Sequence, residues 1–255
     1  MQDLTVAFLQ FDQVWQDKQA NYARIESYFQ DSPSIDLVLL PEMFHTGFSM
    51  HIGLADDWLE SEGLAFLQTL ARQHDFSIYT SLMVQEGDKY ANRGVFIAPN
   101  GKVHTYDKRK SFGLGGEDQY FTSGAQEKIV EFKGWKINLQ ICYDLRFPEL
   151  VRNRMMRGAE AYDLLLYVAN WPQKRIAHWD TLLKARAIEN QCYVVACNRV
   201  GNDGNGLVYN GHSQAIDFFG KYLSGPHEQE GLFVVELSKD GLAEGRKMLP
   251  FLKDA

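Results

Sequence analysis

The sequence predicts an α/β fold in which two similar halves form one domain. Short apolar runs alternate with amphipathic stretches from one end of the chain to the other. The order of these elements is β-α-β-α-β-β in the first half and β-α-β-α-β in the second. No Pro-rich, Ser-rich or low-complexity linker separates the halves. We therefore predict one domain over residues 1–255, and 45% hydrophobic residues suffice for a substantial core.

The elements follow from the length and periodicity of each run. The predicted strands, in chain order, are Leu4–Phe11, Ile35–Leu40, Ser77–Val84, Arg93–Ala98, Ile137–Cys142, Leu164–Ala169, Tyr193–Asn198 and Leu232–Leu237. The predicted helices are Asn21–Phe29, Trp58–Gln73, Pro148–Ala159 and Ile176–Asn190. Leucines of the second helix recur at helical spacing and predict one apolar face: Leu59, Leu64, Leu67 and Leu70.

Two glycine-containing segments predict turns. Asn100-Gly101 joins the strand ending at Pro99 to a short strand, Val103–Tyr106, and is typical of a hairpin. The stretch Gly201–Gly206 lacks the Lys-Ser/Thr of a phosphate-binding loop and is interpreted as a surface turn.

Composition and charge narrow the classes of function. The net charge of −7 argues against a nucleic-acid partner. The first residues show no signal-peptide pattern, and no apolar run is long enough to cross a bilayer. The three cysteines, Cys142, Cys192 and Cys197, show neither CxxC nor metal-ligand spacing. We expect a cytoplasmic protein with free thiols that binds neither metal nor membrane.

Cys142 is the first candidate for chemistry, because an alternating strand ends there and a proline follows six residues later. A thiol on a sharp strand-to-helix turn is exposed at the sheet edge, near backbone N–H groups that stabilise an oxyanion. A lone cysteine is nevertheless more often a structural one. The assignment therefore needs a base and a second charge from elsewhere in the chain.

Three further segments supply charged groups next to apolar runs. Glu42 follows the buried strand that ends at Leu40, and Lys108 ends the hairpin strand. Glu117 lies in a predicted loop at residues 115–121, which begins with two glycines. Each one alone is best explained as a solvated strand-end or loop charge. Together they suffice for acyl transfer, since a carboxylate activates a thiol, an ammonium stabilises the oxyanion, and the carboxylic acid protonates the leaving amine.

These residues make the chain resemble carbon–nitrogen hydrolases of the nitrilase superfamily nearly from end to end. That family has a glutamate after an apolar strand, a lysine in Tyr-x-Lys, and a cysteine in Cys-Tyr-Asp-x-Arg-Phe-Pro. The chain matches them at Glu42, Lys108 and Cys142. Further matches lie at residues 170–172, 179, 185–191, 198–201 and 209–213. Pro41–Met50 and Asn170–Arg175 resemble the bacterial ω-amidase branch, although Lys110 and His45 depart from its usual pattern.

The resemblance implies a fold, a reaction and an assembly. The fold is a four-layer αββα sandwich with two mixed sheets flanked by helices. Glu42 is implied to be general base and acid, Lys108 oxyanion stabiliser and Cys142 nucleophile, without a cofactor. Glu117 is implied to orient the lysine, and the N–H of Tyr143 to complete the oxyanion hole. A homodimer is implied through Pro148–Ala159 and Ile176–Asn190.

The ω-amidase branch implies a small α-keto dicarboxylate monoamide, such as α-ketoglutaramate, as substrate. Arg175 follows a strand-end loop and is a candidate anchor for the remote carboxylate. Phe44, Phe48 and Trp171 are candidate walls for the carbon chain. Three enzymatic alternatives remain open, namely an N-carbamoyl amidase, a nitrilase and a deaminated-glutathione amidase, as does a silent metabolite-binding protein.

Asp144 and Arg146 follow the nucleophile candidate closely. We interpret them as a structural ion pair or loop brace. Cys192 and Cys197 lie in an apolar run and are predicted to pack in the core.

Overall fold

The computed structural model describes residues 2–31, 33–156 and 158–254. Its helices are α1 (Lys18–Ser27), α2 (Glu62–His74), α3 (Glu117–Tyr120), α4 (Ile176–Asn190) and α5 (Lys239–Met248). Its strands are β1 (Leu4–Gln10), β2 (Leu37–Leu39), β3 (Asp56–Asp57), β4 (Ser77–Glu86), β5 (Lys89–Ile97), β6 (Val103–Asp107), β7 (Ile129–Phe132), β8 (Trp135–Ile141), β9 (Met155–Met156), β10 (Ala159–Glu160), β11 (Leu164–Val168), β12 (Tyr193–Cys197), β13 (Val200–Asn202), β14 (Val208–Asn210), β15 (Ser213–Ile216), β16 (Tyr222–His227) and β17 (Gly231–Leu237).

Two mixed sheets correspond to the two halves of the chain. The first has the order β17-β1-β2-β4-β5-β6, with β3 pairing to β4. The second has the order β16-β15-β12-β11-β8-β7. In each sheet three neighbouring strands are parallel, β1-β2-β4 and β8-β11-β12. The last strand, β17, returns to the first sheet and pairs antiparallel with β1.

The sheets pack face to face, and helices cover their outer faces. One core cluster joins both sheets and includes Phe8, Tyr79 and Leu166, together with Trp179 of α4. A second cluster packs α1 and α2 against the outer face of the first sheet. The hydroxyl of Tyr79 donates to the carbonyl oxygen of Gln140 at 3.0 Å across the interface of the two sheets. The predicted four-layer αββα fold is confirmed, and α4 has the predicted bounds.

The predicted helix Pro148–Ala159 is wrong. Only Pro148–Leu150 forms a short 3-10 turn, and β9 and β10 form a hairpin in its place; residue 157 lies outside the described residues. The cause is the buried side chain of Asn153, whose oxygen accepts hydrogen bonds from the N–H groups of Arg154 and Ala161. Its amide donates to the carbonyl oxygens of Tyr162 and Asn190. These side-chain hydrogen bonds replace the backbone hydrogen bonds of a helix, and asparagine side chains typically compete with helical hydrogen bonding in this way.

The helix predicted from Trp58 starts later than expected. Residues Trp58–Glu60 form a 3-10 turn, and α2 begins at Glu62 because the hydroxyl of Ser61 caps the N–H of Leu64. Leu59 is therefore 90% exposed and does not belong to the apolar face of α2. The Asn100-Gly101 hairpin between β5 and β6 is present as predicted. No helix among residues 2–31, 33–156 and 158–254 has the length and apolar character needed to cross a bilayer.

Candidate active site

Four predicted site residues lie at the ends of neighbouring elements. Glu42 follows β2, Lys108 follows β6 and Cys142 follows β8, while Glu117 is the first residue of α3. Side chains that leave strands at one edge of an α/β sheet converge there. The face-to-face packing of the sheets brings the edge that carries Glu42 against the edge that carries Cys142.

Two left-handed backbone conformations mark this edge. Cys142 and Met43, the residue after Glu42, both have φ of 45°. A non-glycine residue in this region is strained by about 1–3 kcal/mol, and such strain is concentrated at functional sites. Hydrogen bonds hold the turn at Met43, because its N–H donates to the Ser81 hydroxyl at 2.9 Å. The left-handed conformation of Cys142 turns its thiol away from the sheet, as expected for a strand-to-helix turn. The residue is 9% exposed.

Lys108 joins the two glutamates in a buried ionic cluster. Its Nζ lies 2.8 Å from Oε1 of Glu42 and 2.9 Å from both carboxylate oxygens of Glu117. The three residues are at most 3% exposed. The N–H of Phe112 also donates to Oε2 of Glu117 at 2.6 Å. The lysine is therefore fixed by charge, and Glu117 is in turn fixed by the loop that precedes it.

The cluster determines the charge state of its members. Burial alone would lower the pKa of Lys108, but Glu117 and then Glu42 raise it well above its ordinary value. The ammonium is therefore charged at neutral pH. Burial raises the pKa of the Cys142 thiol, Glu42 adds to the rise, and Lys108 opposes it. The resting sulfur is consequently a thiol that needs a base.

Two buried asparagines complete the surroundings of Glu42, and neither was predicted as a site residue. Nδ2 of Asn92 donates to Oε1 of Glu42 at 2.8 Å and to Oε1 of Glu117 at 3.1 Å. The N–H of Asn170 donates to Oε2 of Glu42 at 2.9 Å. The main-chain oxygen of Asn170 lies 4.0 Å from Sγ of Cys142. The predicted strand began at Arg93, so Asn92 fell outside it. The feature of the sequence that could have indicated Asn92 is a polar residue at a strand position that faces the second sheet.

A cavity of about 110 Å³ opens above the thiol, with predominantly apolar walls. It is lined by Phe48, Met50, Phe112, Gly115, Cys142, Tyr143, Arg146, Asn170, Trp171, Pro172, Arg175, Asp203, Asn205, Leu207 and Tyr209. Four of the predicted substrate-binding residues, Phe48, Tyr143, Trp171 and Arg175, thus line one cavity. Lys108 lies 5.1 Å from the centre of the Phe48 ring, behind the lining.

Phe44 is the exception, because it does not line this cavity. It is fully buried in the outer core, where its ring lies 6.0 Å from that of Tyr22 and 6.1 Å from that of Phe66. The left-handed turn at Met43 causes this, since it sends the next side chain toward α1 and α2. The interpretation of Phe44 as a wall of the substrate site is corrected accordingly.

Asp144 and Arg146 do not form the expected ion pair among the described residues. Asp144 is a buried brace that accepts hydrogen bonds from the Tyr106 hydroxyl and from the N–H groups of Ile141 and Lys110. Arg146 instead lines the cavity, with its guanidinium 4.7 Å from the Trp171 ring centre.

Neither cavity arginine has a carboxylate partner in the part of the chain that the structure describes. The guanidinium of Arg175 lies 5.1 Å from the centre of the Phe112 ring, and its main-chain oxygen accepts the indole N–H of Trp171. That of Arg146 contacts Nδ1 of His178 at 3.3 Å. The cavity wall therefore holds two guanidinium groups that are not paired with a carboxylate, and the Asp203 carboxylate lies elsewhere in the same wall.

The glycine-rich stretch at residues 201–206 is the turn of the β13–β14 hairpin, as interpreted, but it also reaches the cavity. Asp203, Asn205 and Leu207 lie in its wall. Asp203 is rigid, because its carboxylate accepts the N–H groups of Asn205 and Leu207 and the Tyr209 hydroxyl. Composition alone gave no signal for this role.

The remaining cysteines and possible metal ligands add no further group to this site. Cys192 and Cys197 are buried in the core and free, as predicted. Within the described ranges, no cluster of three or more His, Cys, Asp or Glu side chains is arranged to hold a metal.

Comparison with known proteins gives consistent matches. A family model described as carbon–nitrogen hydrolase matches residues 5–247. Omega-amidase YafV of Yersinia enterocolitica is 40% identical over 256 residues, covering 100% of this chain and 97% of that protein. The 2-oxoglutaramate amidase of Bacillus subtilis is 32% identical, covering 98% and 96%. The crystal structure of XC1258 from Xanthomonas campestris, a CN-hydrolase superfamily protein with an arsenic adduct in its active site, superimposes with a TM-score of 0.95. It is 40% identical and covers 100% of this chain and 98% of its own.

Proposed function

The chain belongs to the carbon–nitrogen hydrolase family, and from that premise we propose that it is a cysteine-dependent amidase of the ω-amidase kind. The observation that carries the proposal is the buried Lys108 ammonium, held between Glu42 and Glu117 beneath a small cavity at whose edge Cys142 lies. A protein that only bound a metabolite would gain nothing from burying two carboxylates and an ammonium beside a strained thiol.

The first half-reaction forms an acyl-enzyme. Glu42 removes the proton of the Cys142 thiol, and the sulfur attacks the amide carbonyl carbon. The resulting oxyanion is stabilised by the Lys108 ammonium and by the N–H of Tyr143, which lies in the first turn of the 3-10 helix Cys142–Arg146, where N–H groups lack intrahelical partners. Glu42 then gives its proton to the nitrogen, and ammonia leaves as the C–N bond breaks.

The second half-reaction returns the enzyme to its resting state. A water molecule gives a proton to Glu42 and attacks the thioester carbonyl, and the same oxyanion contacts stabilise the intermediate. The C–S bond breaks, the carboxylic acid product leaves, and the sulfur recovers its proton from Glu42. In both halves Glu117 holds the lysine in place.

The charge of the cavity supports an anionic amide as the substrate. Two arginines without carboxylate partners in the described structure flank apolar walls of Phe48, Phe112 and Trp171. A short chain with a carboxylate at one end and the amide at the other matches this distribution of charge. The relatives named omega-amidase and 2-oxoglutaramate amidase support α-ketoglutaramate in particular.

An ammonia-release assay tests the reaction and the substrate. We expect α-ketoglutaramate to be hydrolysed with a higher kcat/KM than N-carbamoyl amino acids, nitriles or deaminated glutathione. Cys142→Ala is expected to reduce turnover to background while its circular dichroism spectrum stays that of the wild type. Substantial turnover by Cys142→Ala, or preference for one of the other substrates, would contradict the proposal.

Two matched variants test the anchor. Arg175→Met and Arg146→Met are each compared on α-ketoglutaramate and on butyramide, which lacks the carboxylate. We expect Arg175→Met to raise KM by about 10- to 100-fold for the charged substrate only, because a charge-assisted hydrogen bond is lost. An equal effect on both substrates would exclude Arg175 as the anchor, and selectivity in Arg146→Met alone would transfer the role to Arg146.

We also propose a cytoplasmic homodimer in which each chain is one folding unit. Packing of β17 beside β1 and a core shared by both sheets support one unit, which predicts a single unfolding transition. The exposed side chains of Ile188 on α4 and of Phe219, whose chain neighbour Gly220 lies against Ile188, support a dimer through that helix. Light scattering should give twice the chain mass, and Ile188→Glu should halve it. Leu59→Glu serves as the control, because Leu59 is also an exposed apolar residue but lies beside the first sheet, whereas α4 packs on the second.

A further inference from the structure

Asn92 contacts both glutamates of the ionic cluster from within the sheet. It is 2% exposed and lies on β5, directly before Arg93, the first residue of β5 that pairs with β6. Its Nδ2 donates to Oε1 of Glu42 at 2.8 Å and to Oε1 of Glu117 at 3.1 Å. Its main-chain oxygen accepts the N–H of Lys108 at 3.0 Å. The residue thus touches every charged member of the cluster.

The partners of Glu42 differ between its two oxygens. Oε1 accepts from Lys108 and Asn92, so both of its lone-pair directions are used. Oε2 accepts one hydrogen bond among the described residues, from the N–H of Asn170. One direction on Oε2 therefore remains for a proton, and Asn170 is also the residue whose carbonyl oxygen approaches the thiol. Of the two oxygens, Oε2 is therefore the one with an unused direction for a proton.

The charge balance explains why a neutral donor is needed. Glu42 and Glu117 carry two negative charges and Lys108 one positive charge, so the buried cluster has a net charge of −1. Oε1 of Glu42 and Oε1 of Glu117 approach the same ammonium, so the two carboxylates lie close together with one cation between them. An amide N–H₂ between them stabilises both carboxylates without adding charge.

Asn92 reduces the stability of the fold, because its Oδ1 is buried without a hydrogen-bond partner in the described structure. An unsatisfied buried acceptor is destabilising, and an apolar side chain would avoid this. Packing alone therefore gives no reason for an asparagine here.

We propose that Asn92 is a positioning residue for catalysis. It occupies Oε1 of Glu42, so that Oε2 faces the thiol and acts as base and acid. This inference rests on the roles proposed for Glu42 and Cys142, and it goes beyond them by assigning the two carboxylate oxygens different tasks.

Asn92→Leu and Asn92→Asp test the proposal, with Asn138→Leu as the matched control. Asn138 is also a buried strand asparagine that donates to a glutamate, Glu127, at 3.1 Å, but away from the cluster. Two readouts are used: kcat and KM for the amide, and the rate at which iodoacetamide alkylates Cys142. The alkylation rate needs no substrate and reports activation of the thiol directly.

We expect Asn92→Leu to lower kcat and the alkylation rate by about 10- to 100-fold, the loss typical of a hydrogen bond to a charged group, with KM within about threefold of the wild type. Asn138→Leu should leave both rates unchanged per folded molecule. Asn92→Asp should be nearly inactive at neutral pH. Its activity relative to the wild type should rise as the pH falls, because the introduced carboxyl group, once protonated, donates to Oε1 of Glu42 again.

Wild-type rates in folded Asn92→Leu would overturn the proposal. If that variant does not fold, a pH-independent activity ratio of Asn92→Asp to the wild type would overturn it instead. A wild-type protein that neither releases ammonia nor alkylates at Cys142 would overturn the roles of Glu42 and Cys142, and the proposal with them. Alkylation that depends on Asn92 in a protein inactive on every amide tested would retain the positioning role and reject only the proposed substrates.

Discussion

Replacing Lys108 with methionine should cost stability and activity through separable causes. The side chain is 3% exposed, and its ammonium lies 2.8–2.9 Å from oxygens of two carboxylates that are themselves at most 1% exposed. Methionine has a similar length, so the change removes charge and leaves little cavity. Removing one partner of a buried ion pair costs about 3–5 kcal/mol, and here two carboxylates lose their common cation. We expect a loss near the upper end of that range.

The loss of activity has a different origin. Without the ammonium, the oxyanion keeps only the Tyr143 N–H, and removal of one such contact costs about 10²–10³-fold in kcat. Glu117→Gln added to Lys108→Met removes the excess negative charge. The double variant should therefore lose about 1–3 kcal/mol less stability than the two single losses added together, and should recover none of the activity.

A double-mutant cycle needs four proteins, namely the wild type, the two single variants and the double variant. Urea unfolding and ammonia release are measured on each of them. Unfolding followed by tryptophan fluorescence gives each free energy, and kcat is measured at saturating amide. A Lys108→Met protein as stable as the wild type would refute the reasoning about buried charge. Recovery of kcat in the double variant would refute the assignment of Lys108 to the oxyanion.

Three further predictions concern Glu42, Asp144 and Gly124. Glu42→Gln keeps the shape of the side chain and should lower kcat by at least ~10²-fold. It should cost less stability than Lys108→Met, because the lysine keeps its ion pair with Glu117. A near-normal kcat in the ammonia-release assay would contradict the role of Glu42 as the base. Burial raises the pKa of Asp144 from 3.8 to about 6, so its contribution to stability is present below pH ~4 and lost as the pH rises through ~6. Urea unfolding across this range should show the wild type losing about 3 kcal/mol relative to Asp144→Asn, and parallel curves would exclude this. Gly124→Ala would place a Cβ 2.2 Å from the carbonyl oxygen that ends β6; it should destabilise by about 1–3 kcal/mol, and an unchanged melting temperature would contradict it.

The parts that sequence predicted well depend on local pattern. Helix α4 has its predicted bounds, and the β5–β6 hairpin follows from Asn100-Gly101, because periodicity and turn chemistry are local properties. Glu42, Lys108 and Cys142 were predicted as a set, because each one lies near the end of an apolar run and because together they resemble the carbon–nitrogen hydrolase pattern. Sheet topology alone then brings them together.

The parts that sequence missed depend on contacts between distant residues. The pattern at 148–159 is helical, but Asn153 bonds to Tyr162 and Asn190, and no local signal reports that. Phe44 was assigned to the cavity from its nearness in sequence to Glu42, whereas a single left-handed residue redirects it. Asn92 gave a signal only as a polar residue at an inward-facing strand position.

The distribution of charge across the site links the mechanism to the choice of substrate. The cluster beneath the thiol has a net charge of −1, while the cavity wall, with Arg146, Arg175 and Asp203, has a net charge of +1. An anionic amide therefore gains energy only when its carboxylate lies beside the arginines and its amide beside Cys142, since the reverse orientation brings like charges together. The acid product carries a second negative charge, at the carbonyl end and close to Glu42. The cluster that activates the thiol thus repels the product formed there, and the same charge difference that orients the substrate promotes release of the acid.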